Sequence, residues 1–471
     1  MPASSMTPHE RTCVEELRRV IHDVRAPFAC GGTFIPDRPV TLAFPDKVSI
    51  PVVRAPNSYE QVRLLQPLVD RCKAAPFGVG RKTRYDRTVR DALQIKAEGG
   101  AFSVQHFDPA AAGILDQIRR ELLPPGSDVP TAELYNLNIY RSGGHFVPHK
   151  DTPRGDDMLG TLVVCLPAQF SNGAFVVKHH GVFQTYDWGD QIEKQVEPTQ
   201  LHWAAFFGDV DHQIERVWSG LRVTLTYLLR RSATSRNEPE TDSPAESVST
   251  LVQQQLRIVL DDRRFLANGG TLAFPCSHLY HQDARFQRTP RPLSRHTVSV
   301  LKGRDYTVAQ AVLAEGLEVT LFPYLIETCA DETWQLGHFP TPREQTALGE
   351  EMGPTDLEKA LAIAAHFADG NEVDVVWVDP PPRFNWSPTM YPHGEEGRIP
   401  ADPELPAILH LHGCEYSSTG YFGNEGGYTD FYVYGALHVI IPPYGEGTRT
   451  GIKPKLTQLR SSGVRSPKRR R

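Results

Sequence analysis

Between Tyr140 and Pro153 the chain reads YRSGGHFVPHKDTP, which sets His145, His149 and Asp151 behind a pair of glycines. His149 and Asp151 flank Lys150, so in an extended segment their side chains leave the same face and can meet one ion. A third donor must come from a strand distant in sequence, and WAAFFGDVDHQIERVWSGLRVTLTY offers His212, placed at the end of its first apolar strand. Two imidazoles and one carboxylate leave three positions open on an octahedral ion, which suits Fe(II) when it must bind a co-substrate and O2 together. Arg222 follows His212 by ten residues and opens a strand on which Arg222, Thr224 and Thr226 share a face. Its planar fork can hold a remote carboxylate through two parallel bonds. On the strand before the motif Asn136, Asn138 and Tyr140 share one face while Leu137 and Ile139 take the other, so a polar inner face adjoins the candidate metal site.

The elements that must hold these residues are strands. ELYNLNIY, LGTLVVCLP, GAFVVKHHG, WAAFFG and LRVTLTYLL have the alternation and β-branched content of strands, separated by Gly, Pro and Asp, as in a sandwich or jelly-roll barrel. Ahead of them, SYEQVRLLQPLVDRCKAA predicts a helix with Val62, Leu65, Leu68 and Val69 on its apolar face, and DPAAAGILDQIRRELLP a second one, stopped by Pro124 and Pro125. Behind them, RRSATSRNEPETDSPAESVST is poor in large apolar residues and reads as a disordered linker. Helix and strand signals then resume, enough for a second core. The expected organisation is α+β: a helix-rich supporting region over 1–128, a barrel over 129–231, the linker over 232–250, an α+β domain over 251–448 and a basic tail over 449–471.

A chain of 471 residues is long for one core, in keeping with that division. The net charge of −6 gives no general attraction to nucleic acid or to an anionic membrane. Only the tail RSSGVRSPKRRR offers a nucleic-acid grip or a nuclear localisation signal. No run of about 18 apolar residues occurs and the first residues lack a secretory pattern, so an intracellular location, cytoplasmic or nuclear, without membrane contact is expected. The seven cysteines are scattered and never form CxxC, which predicts free thiols. His179 and His180 are adjacent and so point to opposite faces of a strand, which keeps them from sharing an ion. Lys150 and Arg154 near the mouth hint at an acidic partner, a hint diluted by Asp156 and Asp157.

The glycine pair, the HxD spacing, His212 closing a strand and the arginine ten residues on together resemble the 2-oxoglutarate and Fe(II) dependent oxygenases, in their prolyl 4-hydroxylase-like branch. LNIYRSGGHFVPHKDTPRG and the segment from Trp203 to Leu229 carry the resemblance, which spans Ala132 to Leu229. APFGVGRKTRYDRTVRDALQI before it, and LKGRDYTVAQAVLAEGLEVTLFP and GYFGNEGGYTDFYVYGALHVIIP after it, are similar to segments of longer relatives.

The resemblance implies a double-stranded β-helix (jelly-roll, cupin-like) barrel with flanking helices. It makes His149, Asp151 and His212 iron ligands, sets Arg222 on the far carboxylate of 2-oxoglutarate and Tyr140 beside it, and lets Thr161 or Thr224 add a hydrogen bond. Asn138, His145 and Arg154 are also expected to face the substrate. His145, outside the HxD spacing, is expected to shape the entrance rather than bind metal. Arg222 stands where collagen-type relatives use a lysine, and His145 where an aromatic residue is common. The implied activity consumes 2-oxoglutarate and O2, releases succinate and CO2 and hydroxylates an unactivated C–H, with ascorbate as reductant. A prolyl residue of a protein or peptide is the default substrate, and a small molecule or another side chain remains open. A non-catalytic barrel serving as a binding module is disfavoured by the complete donor set. A zinc hydrolase is disfavoured by the lack of HExxH and leaves Arg222 and Tyr140 without a purpose.

Overall fold

The computed structural model describes residues 7–79, 82–155, 157–232, 244–283, 291–295 and 297–323, and beyond these 326–328, 333–335, 375–378, 421–423 and 430–449. The period-two segments form two antiparallel sheets. Their strands are β1 (Ala29–Phe34), β2 (Lys73–Ala74), β3 (Arg90–Asp91), β4 (Leu93–Lys96), β5 (Thr131–Tyr140), β6 (His145–His149), β7 (Met158–Cys165), β8 (Phe175–His179), β9 (Val182–Tyr186), β10 (Leu201–Phe207), β11 (Asp211–Ile214) and β12 (Arg222–Arg230). Seven of them pair in the order β1-β10-β7-β12-β5-β4-β2 and five in the order β9-β8-β11-β6-β3. The sheets face each other: Phe175 of β8 meets Phe206 of β10 with ring centroids 5.3 Å apart, within the core that also holds Ile139, Val164 and Leu225.

Helices α1 (Pro8–His22), α2 (Ser58–Val69), α3 (Ile114–Leu122), α4 (Trp188–Lys194), α5 (Pro244–Asp261) and α6 (Gly303–Ala314) complete the main elements. On α2 the Asn57 cap sets a phase in which Gln61, Leu65, Leu68 and Val69 turn inward. Val62, expected inside, is exposed instead. Gln61 takes the inner place because its Oε1 accepts from the backbone N–H groups of Ala55 at 2.8 Å and Gln169 at 2.7 Å. The turn ahead of β6 needs its glycines: Gly143 has φ +86°, and a Cβ on Gly144 would lie 2.8 Å from the Arg141 carbonyl oxygen.

A second core is built on β13 (Gly270–Asp283), β14 (Arg291–Leu293), β15 (Val319–Pro323), β16 (Val375–Trp377) and β17 (Asp430–Ile441), in the order β14-β15-β17-β13-β16. Leu17 and Ile21 of α1 pack there with Leu256 of α5 and Val312 of α6. The first helix of the chain thus joins the second core, although the sequence division sets it beside the barrel; its spacing shows an apolar face but not the partner of that face. Helix α5 starts at Pro244, inside the expected linker 232–250, because Val252, Leu256, Val259 and Leu260 bury one helical stripe and draw the preceding turns into register. Residues 233–243, the LEKALAIAAHFA segment and the tail from 450 lie outside the described residues. Among the described residues no helix is long and apolar enough to cross a membrane.

Candidate metal centre and its buried arginine

His149 ends β6, and His212, the second residue of β11, lies opposite it in the antiparallel register. Their ring centroids are 4.1 Å apart. The sequence placed His212 at the end of the preceding strand. The turn Gly208–Val210 instead carries the chain from β10 of the larger sheet to β11 of the smaller one, which is what brings the two imidazoles together. Asp151 follows β6, and its backbone N–H donates to the Gly208 carbonyl at 3.1 Å. One donor atom from each of His149, Asp151 and His212 falls within 4.8 Å of the others, and His212 Nε2 lies 3.6 Å from Asp151 Oδ1.

Each imidazole is oriented from behind. His149 Nδ1–H donates to the Val147 carbonyl at 2.9 Å and His212 Nδ1–H to the Val210 carbonyl at 3.1 Å. A carbonyl accepts only from a protonated nitrogen, so both Nε2 lone pairs are free to bind a metal. Burial, and after it the neighbouring His212, hold the His149 pKa well below its ordinary value, which keeps the ring in the neutral form that a metal requires. Phe146 stacks on His149 with centroids 3.5 Å apart, and the Arg90 guanidinium lies 4.6 Å over Phe146. Thr161, expected to reach a co-substrate, donates its hydroxyl proton to Asp151 Oδ2. It fixes the carboxylate. Thr161→Val is therefore expected to weaken divalent-metal affinity by about tenfold with the fold retained, read by calorimetry beside a melting curve.

Arg222 opens β12 opposite Tyr140 and is fully buried. Its Cζ lies 5.5 Å over the Tyr140 ring and 5.2 Å over Trp188 at the start of α4. Trp188 continues to Phe175 at 5.7 Å, and Phe175 to His212 at 5.9 Å, so one aromatic wall runs from the guanidinium to the imidazole cluster. None of the three guanidinium nitrogens has a hydrogen-bond partner among the described residues. Burial lowers the Arg222 pKa, partly offset by Cys165 and Tyr140; an arginine stays charged at neutral pH even so. Cys165 is itself a neutral thiol, its pKa pushed up to about 12 by burial.

The other expected residues have different surroundings. Thr224 is buried in register with Asn138 and Cys165. Asn138 accepts from Arg90 at 2.9 Å and donates to Asn136 at 3.0 Å and Thr226 at 3.1 Å, so this polar strand face is tied together by its own side chains. His145 bonds the Gly143 and Thr88 carbonyls through its two ring nitrogens. Arg154 donates to the Tyr135 hydroxyl at 2.7 Å and Lys150 lies 3.3 Å from Asp211, which leaves the hint of an acidic partner without support. Arg90 and Trp188 carry no sequence signal for the site, since only long-range pairing brings them there, and Phe146, three residues before His149 on β6, reads as an ordinary apolar strand residue.

No protein-family model matches the chain, and no curated protein matches it. Among solved structures it is similar to a prolyl-4-hydroxylase from Pseudomonas putida, at 18% identity and a TM-score of 0.25, over 46% of this chain and 100% of that one. It is also similar to a Trichoplax adhaerens prolyl hydroxylase in complex with a hypoxia inducible factor oxygen degradation domain peptide fragment, at 12% identity and a TM-score of 0.26, over 48% of this chain and 94% of that one. A 2OG-Fe(II) oxygenase family oxidoreductase from Burkholderia pseudomallei is similar at 14% identity and a TM-score of 0.21, over 38% of this chain and 83% of that one.

The side chains themselves fit a divalent metal and an acid. Two oriented imidazoles and a carboxylate with no Lys or Arg paired to it among the described residues suit an ion that keeps open positions. A buried, unpartnered guanidinium suits a carboxylate, because a buried charge left unpaired costs several kcal/mol.

Proposed function

We propose that this chain is a 2-oxoglutarate and Fe(II) dependent oxygenase, built on a jelly-roll barrel, that hydroxylates an unactivated C–H of a polypeptide, a prolyl residue by default. The observation that carries this is the pairing of a His-Asp-His donor cluster with a fully buried arginine whose nitrogens have no partner among the described residues. His149, Asp151 and His212 would hold the iron, and Arg222 the far carboxylate of the acid. When bound, iron, 2-oxoglutarate and O2 supply oxidative decarboxylation to succinate and CO2 together with hydroxylation of the substrate carbon. The chain's own contribution is placement: Val147 and Val210 fix the imidazole tautomers, Thr161 fixes the carboxylate, and Trp188 and Phe175 keep water from the wall between acid and metal.

The reading of a polypeptide substrate draws on the main-chain geometry beside Asp151. Tyr421–Phe422 pairs antiparallel with Phe77–Val79, and the Gly423 N–H donates to the Lys150 carbonyl at 2.8 Å. A Cβ on Gly423 would come 3.3 Å from Asp151 Oδ1. The protein's own extended segment Tyr421–Gly423 lies here beside the candidate metal carboxylate, held by backbone bonds of the kind through which a substrate strand would add. Incubating the full chain with Fe(II), 2-oxoglutarate, O2 and a proline-containing peptide library tests the proposal: one oxygen atom added to a peptide for each succinate released is expected. Succinate with no oxidised peptide would remove the polypeptide substrate, and oxidation without 2-oxoglutarate would remove the mechanism.

A further inference from the structure

The turn Gly208–Val210 holds two of the three metal-binding candidates by main-chain bonds. Gly208 O accepts from the Asp151 N–H, and Val210 O accepts from His212 Nδ1–H, both at 3.1 Å. Between these carbonyls sits Asp209, whose side chain belongs to neither sheet's core. It turns towards the second core and is taken there by three donors: Lys302 Nζ at 2.8 Å on Oδ1, and His278 Nδ1 and the Leu279 N–H, each at 2.9 Å, on Oδ2. Asp209, His278 and Lys302 are all buried.

The holders of Asp209 are themselves held. Asp305 accepts from the backbone N–H groups of Ser277 and His278 and from the Tyr280 hydroxyl, which fixes the bend of β13 where His278 lies. Lys302 caps the start of α6, bonds the Leu279 carbonyl at 3.0 Å and lies over Tyr280. The His278 ring stacks on His179 of the smaller sheet with centroids 4.3 Å apart. Burial would raise the Asp209 carboxyl pKa, but Lys302 and His278 reverse this and hold it well below its ordinary value. The clamp is thus ionic. Stability alone does not account for it, since buried ion pairs are often replaceable by apolar residues without loss, whereas they do fix one geometry.

We infer that Asp209, His278 and Lys302 are positioning residues for the metal centre, through which the second core sets the geometry of Asp151 and His212. The inference rests on the assignment of His149, Asp151 and His212 as metal ligands. In this arrangement the second core is part of the site's scaffold.

The test is Co(II) binding to the full chain, read as a dissociation constant and as the visible spectrum of the bound ion, with a melting curve for each variant. Lys302→Ala and His278→Gln are expected to weaken Co(II) binding by about tenfold and to change the spectrum, as loss of outer-shell support does. His180→Ala is the control: His180 Nε2 bonds the Ser277 carbonyl at 2.7 Å across the same boundary without touching the Gly208–Val210 turn, so its affinity and spectrum should match the wild type. His149→Ala should lose the site. If His149→Ala loses Co(II) while Lys302→Ala and His278→Gln bind as the wild type does, the clamp is refuted and the metal site stands. If the wild type and His149→Ala bind alike, the metal assignment fails and the clamp with it. Should Lys302→Ala not fold, His278→Gln, a smaller change that keeps a donor, decides alone.

Discussion

Arg222→Met is expected to weaken 2-oxoglutarate binding severely while leaving the chain folded and its metal site intact. The guanidinium is fully buried against Tyr140 and Trp188, and its nitrogens have no partner among the described residues. Bound acid would be dianionic and, in surroundings as buried as those of Arg222, would depend on that one cation. Removing one member of a buried charge pair costs about 3–5 kcal/mol, which corresponds to a loss on the order of a hundredfold to a few thousandfold in affinity. The same substitution deletes no protein–protein hydrogen bond among the described residues and relieves a buried charge, so the melting temperature should stay level or rise. Calorimetry of 2-oxoglutarate binding to the Mn(II)-loaded protein, with a melting curve alongside, checks both halves. An affinity equal to the wild type would falsify the role given to Arg222; a collapse of the fold would show that the residue is structural.

His212→Ala should remove metal binding altogether on any practical scale, a larger effect than the tenfold expected for Thr161→Val. The imidazole supplies one of the three donors found among the described residues, and the register of β6 with β11 gives no second side chain the same position. Its ring also packs 4.5 Å from Phe206, so truncation leaves a void and a stability loss of about 1–3 kcal/mol is expected in addition. Asp151→Asn separates the two effects: it keeps the volume and an acceptor for the Thr161 hydroxyl, so it should weaken metal binding with little change in melting. Titration of Mn(II) followed by electron paramagnetic resonance reads both variants. Retention of a wild-type Mn(II) signal in His212→Ala would place the ion elsewhere.

What the sequence made legible was local. The HxD spacing and the strand alternation depend on the two-residue period of an extended chain, so the common side of His149 and Asp151 and the shared face of Asn136, Asn138 and Tyr140 could be read directly. The opposition of His149 and His212 could not, because register is set by pairing between strands far apart in sequence. For the same reason the bond from the Thr161 hydroxyl to Asp151, ten residues earlier and just past the end of β6, has no signal in the sequence. Helix α2 shows a different limit: hydrophobic spacing favoured Val62, and two backbone donors to Gln61 outweighed it. The dependence of the Gly208–Val210 turn on Lys302 spans more than ninety residues and leaves no trace in any local pattern.

The most direct test is succinate formation from 2-oxoglutarate by the full chain, reconstituted anaerobically with Fe(II) and then given isotopically labelled dioxygen in the presence of the proline-containing peptide library that accepts the second oxygen atom. Succinate that carries one labelled oxygen atom is expected, dependent on iron and absent from both Arg222→Met and His212→Ala. Succinate formed at the same rate by either variant, or none from an iron-loaded wild type shown to bind 2-oxoglutarate, would contradict the assignment of this site as an oxygenase centre.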